Sequence, residues 1–286
     1  MEEQTKSVIV ANDIVGLGKV ALSTALPVLA ACQIEVIPLP TVLLSSHTGG
    51  FDHISMTQLD TAVKGALAQW QGMDFPIAGL ITGYLGSKEQ LDRIAEFAKH
   101  KQITCFVDPV MADNGRLYAG YQEEFVAAMR QFCKGADVIT PNMTEACLLA
   151  DSPYLGEEYS KEDVEQLLVA LTPLENKHII LTGVAFGKGS IGLAHFDREN
   201  GIISYYMRTS YAQHFFGTGD LLTAVLGAGY FQGLSLDVVA ELALDFIDKT
   251  LRHTLLLQRD LKMGLRYEPY VVELASRMNR LKEKAS

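Results

Sequence analysis

Few of the signals that mark common protein classes are present in this 286-residue chain. Its four cysteines, Cys32, Cys105, Cys133 and Cys147, include no CxxC pair, and each has an apolar neighbour. That argues against a disulfide scaffold or a thiolate metal site and predicts buried, reduced thiols. Basic residues are in deficit, 24 against 34 acidic, for a formal net charge of −10. Such a surface disfavours nucleic acid and anionic membranes. The most apolar long stretch, 20–44, is broken by Pro27, Gln33, Glu35, Pro38 and Pro40, so it is no membrane span. The start, Met1-Glu2-Glu3-Gln4-Thr5-Lys6, lacks the basic region and apolar core of a signal peptide, and a cytoplasmic location is expected. His53, His100, His178, His195, His214 and His253 show no metal-ligand spacing. Gly16 and Gly18 hint at a phosphate loop, but neither GxGxxG nor GxxxxGK[ST] occurs, which disfavours a dinucleotide-binding Rossmann enzyme and a P-loop enzyme. No Pro/Gly/Ser-rich linker, internal repeat or low-complexity tract divides the chain, so one domain, 1–286, is expected.

What is present is a regular alternation. Apolar residues make up 48% and charged residues 20%, enough for a sizeable core. Short apolar runs at 7–10, 35–38, 77–81, 103–107, 137–139 and 178–181 read as strands. A glycine loop is expected after the first of them. Helical periodicity falls at 19–32, 57–71, 87–99, 122–133 and 161–171. The order implies βαβ units and a mainly parallel sheet covered on both faces. Segments 190–196 and 202–207 flank a polar turn and read as an antiparallel hairpin. From Leu221 the pattern is helical almost to the end.

Open parallel sheets bind ligands beyond the carboxyl ends of their strands. The polar residues there are Asn12-Asp13, Ser45-Ser46-His47-Thr48, Thr82-Gly83-Tyr84, Asp108, Thr140-Pro141-Asn142 and Thr182-Gly183. The sharpest motif is Gly217-Thr218-Gly219-Asp220, which opens the apolar run 221–226. Glycines let backbone N–H groups approach an anion, and a helix N-terminus adds its positive dipole end. The acidic residue would repel phosphate in a pure anion cradle. It makes sense if Asp220 takes a proton from an attacking hydroxyl, with Gly217, Thr218 and Gly219 holding the transferring phosphoryl group. The helix terminus is expected to keep Asp220 ionised at neutral pH. The same four residues could instead be a plain helix start. Asp108, directly after a strand, suits a place near Mg2+ or phosphate, or else caps a turn. Asp113-Asn114-Gly115 reads as a turn first and a nucleotide contact second. Asn142 and Glu145 read equally as a structural helix cap and as a pair in which Glu145 acts on Mg2+ through water.

Taken together in order, these motifs resemble the ribokinase-like superfamily, and within it the pyridoxal/pyridoxamine (vitamin B6) kinases. The motifs that carry the resemblance are 41–49, Thr82-Gly83-Tyr84-Leu85-Gly86-Ser87, Asp108-Pro109-Val110-Met111, Ile139-Thr140-Pro141-Asn142 with Glu145, and 217–220. The resemblance spans essentially the whole chain. It implies a three-layer α/β/α sandwich with a mainly parallel central sheet and a small β flap, generally a homodimer. It implies ATP-dependent phosphorylation of the 5′-hydroxymethyl group of pyridoxal, pyridoxamine or pyridoxine, with Mg2+ and room for a monovalent cation such as K+. By the same resemblance Asp220 is the base and Gly217–Gly219 the anion hole. Asp113, Thr140, Asn142, Glu145, Thr182 and Gly183 form the nucleotide side. Asp108 and Glu145 lie near the cations. Thr48 and Tyr84 line the pyridine pocket with His47 beside them.

The chain departs from that pattern at Asn12-Asp13, where many pyridoxal kinases carry a serine near the pyridine nitrogen. Asn12 could still bond a ring nitrogen or phenolic oxygen, and Asp13 could pair with a protonated ring or amine. Hydroxymethylpyrimidine kinases also resemble the chain. They often place a cysteine at the Asp220 position, which favours the B6 branch; a pyrimidine acceptor remains the alternative.

Overall fold

A computed structural model describes residues 7–285. The acidic start, residues 1–6, lies outside the described residues. Nine strands form one sheet. In chain order they are β1 (Ser7–Leu17), β2 (Val36–Ser46), β3 (Met56–Gln58), β4 (Ile77–Thr82), β5 (Thr104–Val107), β8 (Val138–Ile139), β9 (His178–Val184), β10 (Ser190–Asp197) and β11 (Ile202–Thr209). Two further strands, β6 (Ala112–Asp113) and β7 (Arg116–Leu117), make a small separate hairpin. The spatial order is β11-β10-β9-β8-β5-β4-β1-β2-β3. Pairing is parallel from β2 through β9 and antiparallel at β3, β10 and β11.

Strand alternation divides the core in two. Ile9 and Ala11 point to one face, where they meet helices α2 (Asp60–Gln71), α3 (Lys88–Lys101), α4 (Glu123–Cys133), α5 (Met143–Leu149) and α6 (Lys161–Ala170). Val8 and Val10 point to the other, toward α1 (Ala21–Ala31), α7 (Thr218–Phe231), α8 (Leu236–Leu256) and α9 (Val271–Ala285). The result is the expected three-layer sandwich. Each fully buried leucine, such as Leu22 or Leu91, contributes about 2 kcal/mol.

Three local expectations are corrected. β1 does not end after Val10; it runs on to Leu17 in place of the expected glycine loop. β2 is one strand through Pro38 and Pro40. Both prolines are tolerated because β2 has no second neighbour there: β3 pairs only with Val42–Leu44. Helix α2 begins at Asp60, because 56–58 is drawn into the edge strand β3.

These extensions build the flap. β1 pairs with β4 only as far as Ala11, while β1 and β2 stay paired out to Leu17 and Ser46. The overhang, edged by β3, has its own small core of Val15, Val42 and Leu44. The four cysteines are unpaired. No described helix is long and apolar enough to cross a membrane.

Candidate active site

The polar residues at the carboxyl ends of β1, β4, β5, β8 and β9 gather along one edge of the sheet, where α7 begins. A cleft of about 520 Å³ opens there, lined by Asp108, Asp113, Thr140, Asn142, Glu145, Thr182, Gly183 and the 217–220 turn. Arg208 is the only lysine or arginine among its described lining residues, and it is committed to Glu241 and Asp245.

The two glycines of the turn serve different ends. Gly217 is the N-cap of α7 in the left-handed region, φ 86°, and a Cβ there would lie 2.3 Å from the Lys19 carbonyl oxygen. Gly219 has ordinary helical geometry, and a Cβ would meet nothing within 4 Å. Its bareness leaves space rather than shaping the backbone. No side chain caps α7, so its first N–H groups face the cleft unpaired by a capping residue.

Asp220 sits one turn inside that opening. It keeps part of its surface open to the cleft, yet loss of hydration pushes its carboxyl above the ordinary range. The Ala21 N–H and the Asn12 amide pull the other way. Desolvation wins, so the shift runs upward where the helix dipole alone would take it down. Ala21 itself has φ 52°, an uncommon conformation for a residue with a side chain.

Asn12 is buried, and its Oδ1 accepts from the N–H groups of Asp13 (2.9 Å) and Tyr84 (2.8 Å). That fixes the amide, leaving Nδ2 directed at Asp220 Oδ1 at 3.5 Å. Asp13, also buried, has its carboxyl pushed up to about 7 by desolvation and then by Asp220. Tyr84 packs against Tyr121, ring centroids 5.6 Å apart, and the Tyr121 hydroxyl donates to the Leu85 carbonyl at 2.6 Å.

On the other side, Asp108 Oδ2 accepts from Thr223 Oγ1 at 2.9 Å, and its carboxyl is pushed up by burial and by Asp220. Glu145 Oε1 accepts from the Met111 and Ala112 N–H groups at 3.0 and 3.5 Å, and Oε2 from Asn142 N–H at 2.9 Å. With Asn142 Oδ1 accepting from Glu145 N–H, the two form a complete capping box for α5. Each Glu145 oxygen thus already accepts from the backbone. Burial, then Asp108, raises its carboxyl well above the ordinary range. Among the described residues no group of three or more His, Cys, Asp or Glu is arranged to hold a metal. Asp108 still fits a cation, since one of its oxygens is unclaimed and its acidic neighbours lack a basic partner.

Asp113 lines the cleft, but both its oxygens bond Asn114 in the turn between β6 and β7. Thr140 Oγ1 is buried with no partner, and Thr182 Oγ1 reaches Pro141 O at 3.4 Å. His47 stands apart from the cleft. Its Nδ1 accepts from Gly49 N–H, its Nε2 donates to Lys262 O at 2.6 Å, and its ring packs on Phe51 and Phe216. It can offer a ring face but no free nitrogen. Thr48 is exposed and brought to no site residue. Sequence reasoning missed Thr223, Ala21 and Tyr121. Only Thr223 carried a local signal, three residues after Asp220 on the same helix face.

The family model described as phosphomethylpyrimidine kinase matches residues 26–264. The chain belongs to that family. A pyridoxal kinase of Arabidopsis thaliana is 30% identical over 242 residues, covering 77% of this chain and 73% of that one. Among solved structures, the pyridoxal kinase of Lactobacillus plantarum superposes with a TM-score of 0.85 at 33% identity over 98% of both chains. A Bacteroides thetaiotaomicron protein assigned to the phosphomethylpyrimidine kinases, solved with pyridoxal, gives 0.88 at 29% identity over 96% of both. The fold is thus the ribokinase-like fold of the pyridoxal kinases. Family membership makes the protein a phosphotransferase with an alcohol group as acceptor, which is the chemistry that an aspartate at an uncapped helix start can serve.

Proposed function

We propose that the protein is a pyridoxal kinase. It transfers the γ-phosphoryl group of ATP to the 5′-hydroxymethyl group of pyridoxal, giving pyridoxal 5′-phosphate, and it also accepts pyridoxamine and pyridoxine. The observation that carries the reading is Asp220, held by Asn12 at the mouth of an uncapped helix N-terminus. Pyridoxal bound to the Bacteroides relative supports the choice of acceptor.

In this reading Asp220 accepts the proton of the acceptor hydroxyl as its oxygen attacks phosphorus. Its raised pKa makes it a stronger base than an ordinary carboxylate. The N–H groups from Gly217 to Gly219 face the phosphoryl oxygens as charge shifts between them. Asp113, Thr140, Asn142, Thr182 and Gly183 form the nucleotide side of the cleft. Asn12, Asp13 and Tyr84 form the acceptor side, closed by the flap with His47 and Thr48. Mg2+ would be held by Asp108 and, through water, by Glu145, and supplies neutralisation of the phosphate charge; a monovalent cation such as K+ fits the same acidic surroundings. The chain acts as one domain, as a cytoplasmic homodimer.

Purified protein with ATP, Mg2+ and an equimolar panel of pyridoxal, pyridoxamine, pyridoxine and hydroxymethylpyrimidine tests the reading by product mass. A B6 5′-phosphate is the expected main product. Exclusive phosphorylation of the pyrimidine would overturn it.

A further inference from the structure

Asp13 is the one buried acidic group on the acceptor side that the phosphoryl transfer leaves unused. It lies opposite Thr41 and Val42, where the β1–β2 register shifts, and such an irregularity re-aims side chains. It is only 7% exposed. Its own N–H is given to Asn12 Oδ1, and no lysine, arginine or histidine pairs with its carboxyl among the described residues. Its neighbours are Asp220, which repels it, and the Tyr84–Tyr121 pair. His47 acts on Asp220 and spends both ring nitrogens on Gly49 N–H and Lys262 O. Asn12 cannot satisfy Asp13 either, because its Oδ1 is taken and its Nδ2 points to Asp220.

A desolvated carboxylate beside a second one is costly unless a cation arrives to meet it. We propose that Asp13 is the specificity residue of the acceptor site, pairing with a protonated nitrogen of the incoming heterocycle and so selecting cationic acceptors over neutral ones. This rests on the pyridoxal kinase reading. Two nitrogens carry that chemistry, the 4′-ammonium of pyridoxamine and the protonated ring nitrogen common to all B6 vitamers. Either one places positive charge between Asp13 and the pocket wall and leaves Asp220 free for the hydroxyl.

The test compares wild type with Asp13→Asn and Asp13→Ser on pyridoxamine, pyridoxal, pyridoxine and an analogue whose ring nitrogen is replaced by C–H. If the ammonium is the partner, KM for pyridoxamine rises at least about 10-fold relative to pyridoxine, with kcat little changed. If the ring nitrogen is the partner, KM for all three vitamers rises together and the analogue is unaffected. Unchanged KM for every vitamer, or a change confined to kcat, overturns the assignment. Titration calorimetry of pyridoxamine without nucleotide reads the contact independently of turnover. Equal Kd in wild type and Asp13→Asn sinks the assignment even if the enzyme is a pyridoxal kinase. A wild type that phosphorylates no vitamer sinks the kinase reading whatever the calorimetry gives. Neither substitution leaves a charge unpaired, so retained thermal stability separates loss of contact from loss of fold.

Discussion

Asn12 and Asp220, 208 residues apart, are joined by an amide donor aimed at a carboxylate oxygen at 3.5 Å. The amide is fixed from behind by the Tyr84 N–H, so the strand end of β1, the loop after β4 and the start of α7 act as one unit. One of the donors that hold the Asp220 carboxylate thus comes from the sheet.

Removing the base is the sharpest test of that unit. Asp220→Ala and Asp220→Asn should each lower kcat by about 100-fold or more while nucleotide affinity is retained. Wild-type-like turnover in either variant would remove Asp220 from the mechanism. Steady-state kinetics with fluorescence titration of ADP reads both quantities.

Asn12→Ala deletes the orienting donor and strands the Tyr84 N–H in a buried place. Kinetically, kcat should drop by about 10-fold with KM for ATP unchanged. In denaturant melts the variant should lose about 1–3 kcal/mol of stability. A stability loss with unaltered kcat would make Asn12 purely structural.

The two glycines of the turn should respond differently. Gly217→Ala forces a side chain into the left-handed region against the Lys19 carbonyl, and should destabilise the fold by about 1–3 kcal/mol. Gly219→Ala has room and should fold at least as well as wild type, since alanine favours helix by about 1 kcal/mol over glycine. Its methyl group occupies the anion space, so the expected defect is in kcat/KM for ATP. Equal melting temperatures for the two variants would contradict this division.

The acidic groups set the pH dependence. The Asp13 carboxyl is pushed up from an ordinary 3.8 to about 7 in the folded state, so the folded state binds the extra proton. Its contribution to stability is fully present below pH 3.8 and is lost as pH rises through about 7. Asp13→Asn should therefore raise the melting temperature at pH 8 and leave it nearly unchanged near pH 4. In kinetics, the raised pKa of Asp220 places the acid limb of kcat/KM for the acceptor above the usual carboxylate range. A limb near an ordinary aspartate value would show that substrate-free Asp220 is better hydrated than the cleft suggests.

Thr223→Val removes the hydroxyl that donates to Asp108. With that donor gone, the Asp108 carboxyl should rise further, and the Mg2+ concentration needed for half-maximal activity should increase several-fold. An unchanged Mg2+ titration would detach Asp108 from the metal.

Much of the architecture was legible because it is locally encoded. Apolar runs ended by polar residues marked the carboxyl edge, and 217–220 announced the start of α7. The Asn142–Glu145 capping box was legible as one of two readings, and the structure shows it complete, with Oε2 in the box and Oε1 taken by the Met111 N–H. The continuation of β1 was not legible. Asn12, Asp13 and Gly16 look like loop residues until Tyr84 and the paired β2 strand supply partners from elsewhere in the chain. Pro38 and Pro40 concealed β2 for a similar reason, since only the sheet order reveals an open side.

By itself the sequence determined the layered α/β fold, the sheet edge at which polar residues gather and the residue types found there, because strand period, helix period and turn chemistry act over a few residues. The tertiary structure decided which of those residues meet. It gave Asn12 to Asp220, turned Glu145 inward to its cap, and left Asp13 without a cation. It also set the sign of the Asp220 shift, because desolvation depends on everything packed around the carboxylate, whereas the helix dipole depends only on the turn that carries it.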